Sequence, residues 1–305
     1  MSTALQPAGA HSAAGLSAHG PSVAGITIEI GGFPVCLLMN DPGFREKLAE
    51  RYSSFVRDDG ASLARAAAPP AMEFELRLDA TAAARARELQ VSCDDGRWMV
   101  TRGEFRAEFD VRTRRGQISF APNPYSVDAV LRVLHSLLLA RAGGLLLHAS
   151  SGIRRGNGVV FSGVSGAGKT TMARLAPPDV CLLTDEISYI RRDGCGFRVY
   201  GTPFSGELGI QGENVSAPLR AVYLIEHAPQ HLNTNRIERM AEGEAVRRLM
   251  RNVLFFTHEK CLVAEVFGTV CELARLVPVF RLEFMPDMRV WDVVEKSVAC
   301  AGSQP

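Results

Sequence analysis

The order of apolar and polar residues divides the chain into three stretches. Residues 1–24 are mostly Ala, Gly, Ser and Pro, a mixture that cannot build a core, so we expect a flexible leader. Between residues 25 and 125, two short strands are predicted around Gly31 and Gly32, and from Met72 onwards short runs of alternating apolar and polar residues are separated by turn sequences such as DDG and TRRG. This pattern predicts a small antiparallel sheet with one helix, an α+β domain. From 126 to 305, predicted strands alternate with helical segments, which indicates an α/β domain.

Two helices have clear starting signals. Asp41 followed by Pro42 is typical of an N-cap and a first helical residue, and it predicts a helix over residues 43–56. A second apolar pattern with helical spacing begins at Ser126, ends at Gly143 and predicts a helix that joins the two halves. Its apolar face carries Val127, Val130, Leu131, Leu134, Leu137 and Leu138.

Composition and charge then exclude several classes of protein. With 47% apolar residues, 22% charged residues and a mean hydropathy of +0.04, the 305-residue chain is neither disordered nor fibrous. No apolar run reaches the roughly 20 uninterrupted residues that a bilayer crossing needs. The net charge is +1, so no global field attracts nucleic acid or an anionic membrane, and any anion must bind locally.

The cysteines and the N-terminal residues indicate the compartment. Seven cysteines occur without a CxxC pair, which argues against a disulfide framework and against a zinc knuckle. The first residues lack the basic start and the continuous apolar stretch of a secretory signal. We therefore expect a cytoplasmic protein with reduced thiols. The sequence is compatible with a homo-oligomer.

The most specific motif is a glycine-rich loop between a predicted strand and a predicted helix. The sequence from Gly163 to Thr170, GVSGAGKT, fits the G-x-x-x-x-G-K-[ST] pattern of a P-loop. Backbone N–H groups can turn inward around a phosphate there because the glycines leave the space free of side chains. Lys169 would approach the β- and γ-phosphates, and the Thr170 hydroxyl is a hard oxygen ligand for Mg²⁺. The predicted nucleotide-binding residues are Gly163, Ser165, Gly166, Ala167, Gly168, Lys169, Thr170 and Thr171.

A pair of acids follows the P-loop. The apolar run VCLLTDE ends in Asp185 and Glu186, and we expect it to be a strand that stands beside the P-loop in a parallel sheet. Two roles are open for this pair. The Asp could hold Mg²⁺ while the Glu activates a water for hydrolysis, or the position could take a proton from a substrate hydroxyl in a transfer reaction.

A third feature, His148 in the strand LLLHAS that leads towards the P-loop, completes a family resemblance. The stretch from LLLHAS through GVSGAGKTT and LLTDE to GTPFSGELGI resembles the HPr kinase/phosphorylase family over roughly the C-terminal half of the chain. The catalytic domain of that family shares a P-loop fold with phosphoenolpyruvate carboxykinase. The resemblance thus implies an α/β P-loop catalytic domain of this type preceded here by a smaller α+β domain.

The resemblance also implies roles for individual residues. His148 matches the histidine that precedes the P-loop in the family, and Asp185 matches the aspartate that takes the serine proton. Glu186 stands where the family has a second Asp, and Glu207 in SGELGI matches a glutamate that helps to bind the metal. The implied catalytic residues are Asp185, His148 and Lys169, and the implied metal ligands are Thr170, Glu207 and Glu186.

Departures from the family refine this expectation. The first 140 residues do not resemble its N-terminal domain, and its proline-glycine-arginine-asparagine loop is not found, so we do not expect the reverse phosphorylase activity. The chain looks closer to divergent members that accompany ribosomal peptides such as modified lasso peptides. The implied activity is an ATP- and Mg²⁺-dependent kinase that phosphorylates a serine of a small protein or ribosomal peptide.

Simpler interpretations remain for each feature. The chain could instead be a P-loop ATPase or GTPase in which Glu186 activates water, or a nucleotide-sensing binding module without catalysis. His148 could be a core histidine, and Glu207 a turn residue. Four arginines fall in predicted turns and could contact phosphate, but we expect solvated charges there: Arg154, Arg155, Arg191 and Arg192.

Overall fold

The computed structural model describes residues 24–57, 69–79, 88–121, 123–227 and 234–301. It contains two β-sheets with helices packed against them, which confirms the predicted mixture of helices and strands. The predicted leader lies outside the described residues, apart from its last residue. In the described part of the chain, no helix is both long and apolar enough to cross a membrane.

The first half forms a seven-stranded sheet with one helix. Its elements are β1 (Ala24–Ile30), β2 (Phe33–Met39), α1 (Pro42–Arg51), β3 (Met72–Leu78), β4 (Gln90–Asp94), β5 (Arg97–Arg102), β6 (Phe105–Asp110) and β7 (Arg115–Phe120). The predicted N-cap is confirmed, because the Asp41 carboxylate accepts a hydrogen bond from the Phe44 amide at 2.9 Å. The helix ends at Arg51, and the rest of the predicted segment forms a short 3₁₀ turn.

The predicted antiparallel pairing is confirmed for β1–β2 and for β4 to β7, and is wrong only for β3. The strand order is β1-β2-β3-β7-β6-β5-β4, and β3 runs parallel to both of its neighbours, β2 and β7. The alternation of apolar residues marks a strand but is the same for both directions of pairing. Long connections on either side of β3 permit the parallel arrangement, which a short hairpin could not.

The second half forms a nine-stranded sheet. Its elements are α2 (Pro124–Arg141), β8 (Gly144–Arg154), β9 (Asn157–Ser162), α3 (Lys169–Arg174), β10 (Val180–Thr184), β11 (Ile187–Asp193), β12 (Gly196–Tyr200), β13 (Ser216–His227), β14 (Arg236–Arg239), α4 (Glu242–Leu249), β15 (Val253–Leu254), α5 (Lys260–Leu276), β16 (Val279–Phe284) and α6 (Val290–Ala301). The long strand β8 pairs antiparallel with β9, β10, β11 and β15, so it is the centre of this sheet. The parallel neighbours of β13 are β9 and β16.

The two sheets share one hydrophobic core through α2. The predicted apolar face of this helix is buried, with Val127, Leu131 and Leu134 fully inaccessible, and it packs in the same cluster as the first sheet. The tip of the β1–β2 hairpin also touches the second sheet. Gly31 has a φ of +59°, and a Cβ there would lie 2.2 Å from a ring carbon of Tyr189 on β11, so only glycine fits this contact. The first half therefore docks directly on β11.

The structure corrects the interpretation of Arg191 as a solvated turn charge. It lies on β11, a strand that the sequence did not predict, and its guanidinium donates to the Gly31 carbonyl at 2.7 Å. The same guanidinium lies over the rings of Phe33 and Tyr200, at 5.3 and 5.2 Å from the centroids. Arg191 thus fastens the first hairpin to the second sheet.

Candidate functional site

The glycine-rich loop lies between β9 and α3, as the sequence predicts. Gly166 and Gly168 have φ values of +80° and +107°, a region that residues with a Cβ rarely adopt. A Cβ on Gly168 would also lie 2.6 Å from the ring of Phe284 at the end of β16. Residues 164–166 are exposed, whereas Ala167 is buried beneath them. The loop therefore offers its backbone to solvent and rests on the end of the sheet.

Lys169 begins α3 and lies almost wholly inside the protein, with 7% of its surface exposed. Its ammonium group donates to the carbonyls of Gly163 and Val164 at 2.9 and 3.1 Å. Burial lowers the pKa of Lys169, and the negative charge of Glu207 partly opposes that shift. Lys169, the predicted phosphate-binding cation, is thus held against the start of the loop. It lies close enough to Glu207, a predicted metal ligand, for the two charges to interact.

His148 lies beside this cation on β8. Its pKa is lowered by burial and, to a smaller extent, by the positive charge of Lys169. Its backbone carbonyl accepts a hydrogen bond from the Ser162 hydroxyl at 3.1 Å, and the nearby Ser150 hydroxyl donates to the Lys169 carbonyl at 3.1 Å. Strand β8 is therefore hydrogen-bonded to the residues at both ends of the P-loop. The lowered pKa keeps the His148 ring neutral beside Lys169.

Asp185 follows β10 and is held by a loop that comes from elsewhere in the chain. The carboxylate is 3% exposed, and its two oxygens accept hydrogen bonds from the amides of Gly206 and Leu208 at 2.8 and 2.9 Å. Just before it, the Thr184 hydroxyl accepts from the amide of Glu186 at 3.1 Å and donates to the Phe204 carbonyl at 3.3 Å. We call residues 184–187 the acid turn and residues 204–208 the cradle loop.

The acid turn and the P-loop lie on opposite sides of β8. The Ala149 amide donates to the Glu186 carbonyl at 3.0 Å, and Ala149 pairs on its other side with Ser162, the last residue before the P-loop. Two strand spacings therefore separate the acid turn from the start of the P-loop, about 10 Å. The strands that end at the P-loop and at the acid turn, β9 and β10, run in the same direction, because both pair antiparallel with β8. The predicted parallel direction is therefore found, but the two strands are not direct neighbours, since β8 lies between them.

The two acids of the pair have different partners. Glu186 accepts a hydrogen bond from Arg132 of α2 at 3.0 Å, and burial raises its pKa although Arg132 opposes the shift. Asp185 is bound by backbone amides, as described above. Glu207 lies exposed on the cradle loop between the two residues that donate to Asp185. The structure thus places the predicted metal ligands Glu186 and Glu207 next to the residues that hold Asp185, with Glu186 engaged in an ion pair.

The donor set suits a magnesium ion that is bound jointly with a phosphate. Across the ranges that the structure describes, no three His, Cys, Asp or Glu side chains cluster as a protein-only metal site. Mg²⁺ is commonly held by one or two protein oxygens together with waters and substrate phosphates. Thr170, half-buried in the first turn of α3, and the exposed Glu207, whose charge acts on the neighbouring Lys169, fit that mode of binding.

Sequence reasoning missed two residues that touch this region. One is Arg132, and the other is His227, whose Nε2 lies 2.8 Å from the Gly166 carbonyl. His227 could have been found from its place at the end of β13. This strand runs parallel to β9, and neighbouring parallel strands end at the same edge of a sheet, here beside the P-loop. The other arginines of the predicted turns are ion-paired with acids. Arg154 pairs with Asp179 at 2.9 Å, and Arg192 pairs with Glu272 at 2.6 Å.

Comparisons with known proteins place the second half of the chain. A family model described as "SynChlorMet cassette protein ScmC" matches residues 126–299. The search of the curated proteins found no match. Among solved structures, the chain is similar to the HPr(Ser) kinase/phosphatase from Coxiella burnetii, at 13% identity over 52% of this chain and 99% of that chain, with a TM-score of 0.24.

Proposed function

The chain belongs to the family of the SynChlorMet cassette protein ScmC, and we propose that it is a kinase that uses ATP and Mg²⁺ to phosphorylate a serine of a small protein or ribosomal peptide. The observation that carries the proposal is a buried carboxylate, Asp185, fixed by two amides on the far side of β8 from a P-loop. The P-loop suits a phosphoryl donor, and we call it with Lys169 the donor half of the site. Asp185 suits a hydroxyl acceptor and forms the acceptor half.

The donor half consists of the P-loop and its lysine. Backbone amides of the loop and the Lys169 ammonium group would surround the β- and γ-phosphates and stabilise the charge that spreads over the transferred group. Mg²⁺ held at Thr170 would neutralise part of the phosphate charge. His148 stays neutral beside Lys169, so it would supply a hydrogen bond to a phosphate oxygen or to Asp185 without adding charge.

The acceptor half consists of Asp185. An ionised carboxylate offers about four lone-pair sites, and two of them accept from Gly206 and Leu208. The remaining sites can take the proton of a serine hydroxyl as its oxygen forms a bond to the γ-phosphorus and the bond to the β-phosphate oxygen breaks. ADP and phosphoserine are then the products, and the proton passes from Asp185 to solvent.

The ion pair of Glu186 favours transfer over hydrolysis. In a P-loop ATPase the second acid activates a water, and for this it must be free to accept a proton. Here the Glu186 carboxylate is committed to Arg132 at 3.0 Å, whereas Asp185 keeps open lone pairs. This contact supports the kinase over the ATPase, which is the second candidate.

The test is phosphoryl transfer from ATP in the presence of Mg²⁺ to seryl peptides and small proteins encoded beside this chain, detected by mass spectrometry. We expect the mass gain of one phosphoryl group, lost in Asp185→Asn at unchanged ATP affinity and retained in Asp193→Asn, an exposed acid paired with Arg198. Steady ATP hydrolysis without an acceptor that disappears in Glu186→Gln would support the ATPase instead. Tight ATP binding with no turnover would support a nucleotide sensor.

A further inference from the structure

Helix α2 carries two charged residues into the protein one turn apart, Asp128 and Arg132. Asp128 is 6% exposed and pairs with Arg51 and with the Tyr52 hydroxyl, both at the end of α1. A buried charge is costly unless it is paired and hydrogen-bonded. The contacts of Asp128 with Arg51 and Tyr52 have a structural role, because they join α1 to α2. Arg132 points instead to the acid turn of the other sheet and needs a separate explanation.

Arg132 contacts both walls that surround Asp185. Its Nη2 donates to the Glu186 carboxylate at 3.0 Å, in the residue directly after Asp185. Its guanidinium carbon lies 5.3 Å from the centroid of the Phe204 ring, at the start of the cradle loop. Phe204 is fully buried, and its carbonyl already accepts from the Thr184 hydroxyl. One side chain therefore holds the acid turn and the cradle loop together.

We propose that Arg132 is a positioning residue that fixes the Asp185 carboxylate by clamping the acid turn against the cradle loop. The inference rests on the proposed function only in assigning a catalytic use to Asp185. Arginine suits the task because a planar guanidinium can pair with a carboxylate along its edge and lie on an aromatic ring with its face. A lysine could replace the charge but not both contacts.

The kinetic consequence is a loss of rate without a loss of nucleotide binding. Arg132→Met keeps most of the side-chain volume and removes the clamp. We expect kcat for transfer to fall about 10- to 100-fold, since a displacement of about 1 Å from the reactive geometry can cost a factor of 100. The ATP dissociation constant should stay at the wild-type value, because the contacts of Lys169 and of the P-loop are untouched. Arg132→Lys should lie between the two.

A pairwise test identifies Glu186 as the contact through which Arg132 acts. Glu186→Gln alone should lower kcat, and adding it to Arg132→Met should cause little further loss, because the second change removes an ion pair that is already broken. Arg141→Met is the matched control: this arginine lies exposed at the last residue of the same helix. We expect wild-type kcat and ATP affinity from that variant.

A second measurement does not need catalysis at all. The Gly206 and Leu208 amides donate to Asp185, so loosening of the cradle loop should speed their hydrogen exchange in Arg132→Met. The amides of β9 should exchange at the wild-type rate. If the wild-type chain transfers phosphate to no acceptor, the proposed function fails, and the exchange rates still decide the role of Arg132.

Amide exchange and kinetics together decide whether Arg132 positions Asp185. Faster exchange of the Gly206 and Leu208 amides together with a lower kcat at constant ATP affinity supports the proposal. Unchanged exchange at both amides overturns it, and so does an equal loss of ATP affinity and kcat, which indicates a general weakening of the fold. If Arg132→Met does not fold, the same two measurements on Arg132→Lys decide the question.

Discussion

The position of Asp185 can be displaced by a single methyl group on Gly206. A Cβ at Gly206 would lie 2.9 Å from Oδ2 of Asp185 and 2.9 Å from the Cβ of Glu186. Ordinary contacts begin near 3.4 Å, so the carboxylate or the cradle loop has to move by about 0.5 Å in Gly206→Ala. If 1 Å costs about 100-fold in rate, half of that displacement should cost about tenfold in kcat. Overpacking of this kind also destabilises a protein, by about 1–3 kcal/mol.

The assay separates these two effects. Transfer rates with ATP and a phosphorylatable peptide give kcat, calorimetry gives the ATP dissociation constant, and urea unfolding gives the stability. Gly196→Ala is the control, because its added Cβ meets no atom within 4 Å. We expect a tenfold lower kcat in Gly206→Ala only, at constant ATP affinity. A wild-type kcat in a variant that is measurably less stable would refute the reasoning, since it would show that the rate does not depend on where the Asp185 carboxylate lies.

Three further predictions concern the donor half and the core. Lys169→Met should lose ATP binding and transfer together, measured by calorimetry and mass spectrometry, because the loop amides alone lack the cation. Gly168→Ala should weaken ATP binding more than Gly166→Ala, since both positions have a positive φ but only Gly168 also faces the Phe284 ring. His135 is fully buried with a pKa lowered by burial to about 3, so the unfolded chain takes up a proton below pH 6.5 that the folded protein refuses. Its contribution to stability is present above pH 6.5 and is lost at about 1.4 kcal/mol per pH unit as the pH falls towards 3, and His135→Phe should flatten that slope in urea titrations.

The parts of the fold that are local in sequence were predictable. The N-cap of α1, the apolar face of α2 and the strand, loop and helix around the P-loop depend on residues within a few positions of each other. Strand β11 was not predicted, and neither was the end of α4 at Leu249, after which the chain forms a short turn and then β15. The apolar residues of the segment 243–256 have helical spacing, but residues 253 and 254 pair with β8, and this pairing overrides the helical preference.

The candidate site shows the same division. Residue types and spacing were enough to select the P-loop, Asp185 and Glu186 as candidates. They could not show that backbone amides from the cradle loop, about 20 positions further along the chain, hold Asp185. Nor could they show that Arg132, 54 positions before Glu186, pairs with it. Such partners depend on how strands pair and how a helix docks, and neither leaves a local pattern.

The donor half and the acceptor half of the site are supported by different parts of the fold. The P-loop is built from consecutive residues and is braced by β8 and by Phe284, so its shape depends mainly on the second sheet. The acid turn is clamped by α2, which shares a core with the first sheet and is fastened to α1 through Asp128. Alterations in the first half should therefore reach Asp185 through Arg132 and change the rate of transfer before they change nucleotide affinity. Under the proposed function, a peptide that bound to the first sheet would therefore act on the acceptor side of the site.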